Sequence, residues 1–90
     1  RVGSYEIKVI ETPGHTKGGL CFIVGDSVFT GDTLFQGSVG RTDFPGGDMN
    51  EIISSIKNKL LPLGDDMKVY PGHGPSSNIR FEKMRNPYLQ

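Results

Sequence analysis

Apolar and polar positions alternate at the start of the chain and then change period. In Tyr5–Glu11, Tyr5, Ile7 and Val9 alternate with Glu6 and Lys8, the two-residue period of a half-buried strand. Pro13-Gly14 ends that segment. Two short apolar runs, Leu20–Val24 and Ser27–Gly31, flank Gly25-Asp26 and predict a hairpin with a two-residue turn. The stretch from Leu34 to Asp48 is rich in glycine, has no period and reads as a long loop, a class that is usually functional or disordered. The period then becomes helical: Met49, Ile52, Ile53, Ile56 and Leu60 share one face. Asp48 caps this helix with Glu51 as its capping-box partner, and Pro62 and Gly64 stop it. Met67–Gly72 reads as a fourth strand. Ser76–Asn86 reads as a second helix, opened by Ser77 or Asn78 and ended by Asn86-Pro87. The order strand, strand, strand, loop, helix, strand, helix predicts an α/β (α+β) chain with helices packed on a sheet. No internal repeat or linker stands out.

Ninety residues make one small domain or part of one, burying roughly 60–65% of the unfolded surface. Ten acidic and ten basic residues cancel, which removes the basic face that a nucleic-acid partner needs. The longest apolar run, Gly19–Gly25, is far too short to span a bilayer, so no membrane role is expected. No signal peptide is visible, and the single cysteine, Cys21, has no internal disulfide partner; a reducing, cytoplasmic setting is expected. Cys21 itself reads as a small buried hydrophobe within a strand.

Three ligand-type residues follow strand-like runs: His15 after the first strand, Asp32 after the third and His73 after the fourth. If those strands run the same way in one sheet, their carboxyl ends share an edge, where sites on such sheets gather. Two imidazoles and a carboxylate suit zinc, iron or manganese. Taken singly, each residue is accounted for as a turn residue beside glycine. Their shared placement makes a metal site the alternative reading. Phosphate-loop, dinucleotide and nucleophile-elbow motifs are absent from the sequence. Nothing in the sequence around Cys21 would stabilise a thiolate, so it is a poor nucleophile.

The blocks TPGHTKGG, VFTGDTLF, GSVGRTDFPGGD and VYPGHGP, in that order, resemble the C-terminal half of the metallo-β-lactamase fold hydrolases. Their nearest likeness is to the glyoxalase II-like branch, the hydroxyacylglutathione hydrolases and their small bacterial relatives, and it runs from about Tyr5 to Leu89. The resemblance implies half of an αββα sandwich: a mostly antiparallel sheet with two helices on one face, residues 1–90 forming a single partial domain. It makes His15 the third histidine of a first metal site, Asp32 the bridging and catalytic carboxylate, and His73 the last histidine of a second site. Two zinc ions are implied for the intact enzyme, with iron or manganese as alternatives. Hydroxide held by the metals would attack a small-molecule thioester such as a hydroxyacyl-glutathione. The family's His-x-His-x-Asp-His block is absent here. The chain is therefore expected to be a piece of a longer enzyme, inactive alone, with an apolar sheet face open to self-association. Arg41 is either a substrate-binding residue or, with Asp43, a salt bridge anchoring its loop. The stretch Gly40–Phe44 also resembles the persulfide dioxygenases, whose single iron would keep His15 and Asp32 but not His73 as ligands. A non-catalytic binding module is the reading from outside enzymology.

Overall fold

A computed structural model describes residues 7–15, 19–43 and 47–90. Tyr5 and Glu6 of the first predicted strand lie outside the described residues, as do Thr16–Gly18 and Phe44–Gly46. The strands are β1 (Ile7–Glu11), β2 (Leu20–Val24), β3 (Ser27–Gly31), β4 (Leu34–Phe35), β5 (Ser38–Val39), β6 (Lys68–Pro71) and β7 (Ser77–Asn78). Two helices, α1 (Met49–Ser55) and α2 (Ile79–Arg85), complete the fold. β1, β2, β3, β6 and β7 form one sheet in that order, antiparallel except for the β3–β6 pair. β1 and β3 both oppose β2, and β6 parallels β3, so β1, β3 and β6 all point the same way.

The predicted hairpin forms between β2 and β3, with Val24 opposite Ser27 and Gly25-Asp26 as the turn. The Gly-rich loop contains an element that the pattern did not show: β4 and β5 pair as a separate small hairpin over Gln36-Gly37. α1 starts where expected, with Asp48 Oδ1 accepting from the Glu51 amide at 3.1 Å. The capping box is not reciprocal, however. The Asp48 amide donates instead to Gly14 O at 2.7 Å, so the helix start is tied to the loop after β1. Beyond Ser55 the helix relaxes into a π-helical turn, Ile56–Leu60, and a 3₁₀ turn, Leu61–Leu63, carrying Pro62. Asn78 caps α2 by accepting from the Phe81 amide at 2.7 Å.

One face of the sheet is covered. Cys21, Ile23, Val28 and Val69 pack there with Leu34, Val39, Ile52, Ile56, Leu60 and Ile79, all buried, so both helices share that face. Met49, expected on the apolar face of α1, is exposed. The other face is also apolar but open. Val9, Phe22, Phe29 and Tyr70 form one row across four strands, and with Ile7 and Leu20 they remain 38–56% exposed. Phe29 and Tyr70 stack with ring centroids 5.5 Å apart. The alternation in β1 therefore points Ile7 and Val9 at this open face and not into the core. Ile10 is the β1 residue packed against the core.

Candidate metal centre

The common direction of β1, β3 and β6 places His15, Asp32 and His73 at one edge of the sheet. His15 stands on a loop pressed against α1. A Cβ on Gly14 would lie 2.3 Å from Ile52 Cα, and Gly14 has φ +141°, so this position requires glycine on both counts. Three hydrogen bonds fasten the loop to that helix and its extension. They are Ser55 Oγ to Pro13 O at 2.8 Å, the Asp48 amide to Gly14 O at 2.7 Å, and Lys59 Nζ to Glu11 O at 2.8 Å. His15 Nδ1 lies 2.6 Å from Arg41 O. A carbonyl oxygen only accepts, so Nδ1 carries the hydrogen, and in the neutral imidazole the Nε2 lone pair faces the cleft. Metal-ligating histidines are held this way, with the second ring nitrogen donating to a fixed acceptor.

Asp32 directly follows β3, and Gly31 O accepts from the Gly72 amide at 2.8 Å, which joins the ends of β3 and β6. Its carboxylate is shared between the histidines. Oδ2 lies 3.9 Å from His15 Nε2, and Oδ1 lies 3.4 Å from His73 Nδ1. Gly40 lets β5 pass this close, since a Cβ there would fall 1.8 Å from Asp32 O and 3.3 Å from His15 Cβ. The two imidazoles differ in setting: the His15 side chain is 22% exposed and that of His73 is 82% exposed, with the Phe35 ring 6.3 Å from the latter's centroid.

A cleft of about 470 Å³ opens over these groups, walled by Phe35, Ser38, Val39, Gly40 and Arg41. That is the size of a small-molecule site. A second cleft of about 350 Å³ shares Ser38–Arg41 and continues to Asp43, Met49 and Tyr88. At the shared rim, Arg41 grips Asp43 with two bonds, Nε–Oδ1 at 3.2 Å and Nη2–Oδ2 at 2.9 Å. The guanidinium holds the Asp43 carboxyl below the usual carboxylate range. Cys21 is fully buried, its Sγ 3.3 Å from Thr12 Oγ1. Burial pushes its thiol up, which suits a packing role.

The structure thus brings His15 and His73 to either side of Asp32, with Arg41 at the rim. Among the described residues no three His, Cys, Asp or Glu side chains group closely enough to hold an ion unaided. The donor set is consistent with part of a site: two imidazoles on either side of one carboxylate, each facing a different oxygen of it. Sequence reasoning missed the second wall of the cleft, Phe35 to Val39, and the carbonyl of Arg41.

The model of the metallo-beta-lactamase superfamily matches residues 1–73. The chain belongs to this superfamily. Among its relatives in the superfamily, the hydroxyacylglutathione hydrolase GloC of Haemophilus influenzae is 47% identical over 91 residues. That match takes in 99% of this chain but 43% of the relative, so the chain spans about two fifths of the curated relatives it matches. The crystal structure of ETHE1 from Myxococcus xanthus superposes with a TM-score of 0.92 at 41% identity, covering 97% of this chain and 40% of that one. The structure of TTHA1623 in a di-iron-bound form gives a TM-score of 0.88 at 42% identity, over 99% of this chain and 44% of that one. The metallo-β-lactamase fold expected from the four sequence blocks is therefore the fold observed.

Proposed function

We propose that the chain is the C-terminal part of a metal-dependent hydrolase of the glyoxalase II-like type, acting on a thioester such as a hydroxyacyl-glutathione. The observation that carries this reading is the Asp32 carboxylate, which turns one oxygen to each histidine. His15 and Asp32 would hold one ion, and Asp32 and His73 a second. The remaining ligands belong to the part of the relatives' length that this chain does not cover. Zinc is the proposed metal; the di-iron form of TTHA1623 supports iron as the alternative, with manganese also compatible with this donor set. When bound, such ions supply an activated water at neutral pH and polarise the acyl carbonyl.

The chain's own residues prepare for that chemistry. The Arg41 carbonyl fixes the His15 tautomer so that Nε2 is a donor atom towards the cleft. Phe35 and Val39 give the cleft an apolar wall beside the ligands, and Arg41 presents its cation at the rim to the polar part of a substrate. Similarity to GloC supports the hydroxyacyl-glutathione class. The 90 residues alone would be inactive, because their three ligands belong to two sites. Their open apolar sheet face supports self-association of the isolated chain. No helix of the described residues is long and apolar enough to cross a membrane; a cytoplasmic location is proposed from the single buried thiol.

A second reading, a mononuclear iron persulfide dioxygenase, draws on the Gly40–Phe44 stretch and on the exposure of His73, which that chemistry would not use. Metal analysis of the full-length protein separates the two. Two ions per chain with thioester hydrolysis is the expected result. One iron per chain, with oxygen uptake on glutathione persulfide, overturns it.

A further inference from the structure

Glu82 on α2 is fully buried, and none of the chemistry above uses it. Its carboxylate accepts three hydrogen bonds, all from neutral donors. Oε1 takes the Gly37 amide at 3.0 Å and Asn86 Nδ2 at 2.8 Å, and Oε2 takes the Ser77 hydroxyl. A backbone N–H and an amide NH₂ can only donate, so Oε1 acts as a bare acceptor.

The places of these donors matter more than their number. Gly37 is at the tip of the β4–β5 hairpin, whose Phe35 faces the His73 ring and whose Ser38 and Val39 wall the cleft. Ser77 opens β7, where the loop bearing His73 returns to the sheet. Two further bonds join the same parts: Asn86 Nδ2 to Ser38 O at 3.1 Å, and Gln36 Nε2 to Ser76 O at 3.3 Å. One buried carboxylate thus ties together the two segments on either side of His73. The imidazole itself is mostly exposed, so its position follows from the segments that carry and flank it.

We infer that Glu82 is a positioning residue for His73: by holding Gly37 and Ser77 together it fixes the hairpin and the return loop between which the imidazole stands. This rests on the two-metal reading above, in which His73 belongs to the second ion. Loss of Glu82 then weakens the second metal and leaves the first, held from α1, nearly unchanged. Outer-shell partners of metal ligands typically control affinity by about 10–100-fold.

The test uses the full-length protein, stripped of metal and titrated with zinc against a chromophoric chelator to give two stepwise dissociation constants. Glu82→Met, which keeps the length of the side chain and removes both acceptor oxygens, is expected to raise the second constant about tenfold and to move the first by less than about twofold. Ser77→Ala, which removes one tie and leaves buried Oε2 without that donor, should lower the melting temperature and raise the second constant several-fold while the first moves by less than about twofold. A merely structural Glu82 would lower the melting temperature while both constants stayed put or shifted together; that result overturns the inference. Should Glu82→Met fail to fold, Ser77→Ala decides by the same criterion. A wild-type protein that binds fewer than two ions overturns the two-metal reading and this inference with it, whereas two wild-type ions with unchanged variant ratios overturn the inference alone.

Discussion

The two histidine loops are built on opposite plans. The loop of His15 is clamped from behind. Gly14 touches α1 with no room for a methyl group, three hydrogen bonds reach that helix and its extension, and the ring nitrogen Nδ1 has its own carbonyl. The loop of His73 is held at a distance. Before the imidazole the Gly72 amide bonds Gly31 O; beyond it Gly74 has no atom within 4 Å of its would-be Cβ, the imidazole is largely exposed, and the return of the loop is anchored through Glu82. Both arrangements present an imidazole to the same aspartate, one by direct contact with its helix and one through a relay. A clamped ligand tolerates little change in its own loop. A relayed ligand is sensitive to changes elsewhere.

The largest effect should come from removing what the two loops share. In the full-length protein Asp32→Ala should disable both metal steps and lower kcat/KM by more than the ~10–100-fold that loss of an outer-shell partner costs. Steady-state kinetics and metal analysis would show it, and near-normal occupancy would refute a bridging role. Next in size is a matched pair of glycines. Gly14→Ala meets both a clash and a left-handed backbone, and should destabilise by roughly 1–3 kcal/mol or more. Gly74→Ala, with φ +79° but open space, should cost about 1 kcal/mol. Denaturant midpoints of the two variants measure this difference, and equal shifts would erase the distinction between clamp and relay. Smaller still, Ser55→Ala removes one tie behind His15 and should cost about 0.5–1.5 kcal/mol, weakening the first zinc step in preference to the second.

The smallest effect concerns Arg41 and Asp43. Asp43 has a lowered folded pKa, so its pairing contributes above the unfolded value and is lost as pH falls through the lower folded one. The melting temperatures of the wild type and Asp43→Asn should differ slightly at neutral pH and converge once the pH has fallen below the lowered folded value. Both side chains are exposed, so salt should shrink the gap as well.

Much of this architecture could be read along the chain. The Gly25-Asp26 turn, the 3.6-residue spacing of α1 and its Asp48 cap each follow from local rules. That His15, Asp32 and His73 would share one edge followed from one further assumption, a common strand direction, which β1, β3 and β6 satisfy. What escaped was of three kinds. Strands of two residues, β4 and β5, are too short to show a period. The Arg41 carbonyl that holds His15 is a backbone atom, silent in any side-chain pattern. The open side of β1 could not be read, because alternation says which residues share a side but not which side is covered. Glu82 and Asn86 left a trace: with Ile79 they fall at helical spacings of three and four, Glu82 on the buried side of α2 and Asn86 buried at its C-cap, where apolar residues belong. Two polar residues in such places mark a satisfied internal network, and the network proved to be the one behind His73.

The lone parallel ladder among the described residues carries a consequence in time as well as in space. β1, β2 and β3 succeed one another through short connections and can zip locally, on the microsecond scale of hairpins. β3 and β6 join partners as distant as Ser27 and Lys68, so that pairing must close a long loop first. Asp32 and His73 are neighbours only once it has closed. His15, Asp32 and the helix behind them can therefore be in place while the other histidine is still undocked. Residues of β6 should accordingly show lower φ-values than those of β2. The edge that carries His15, Asp32 and His73 would be assembled last, by the one step of folding that local sequence does least to hasten.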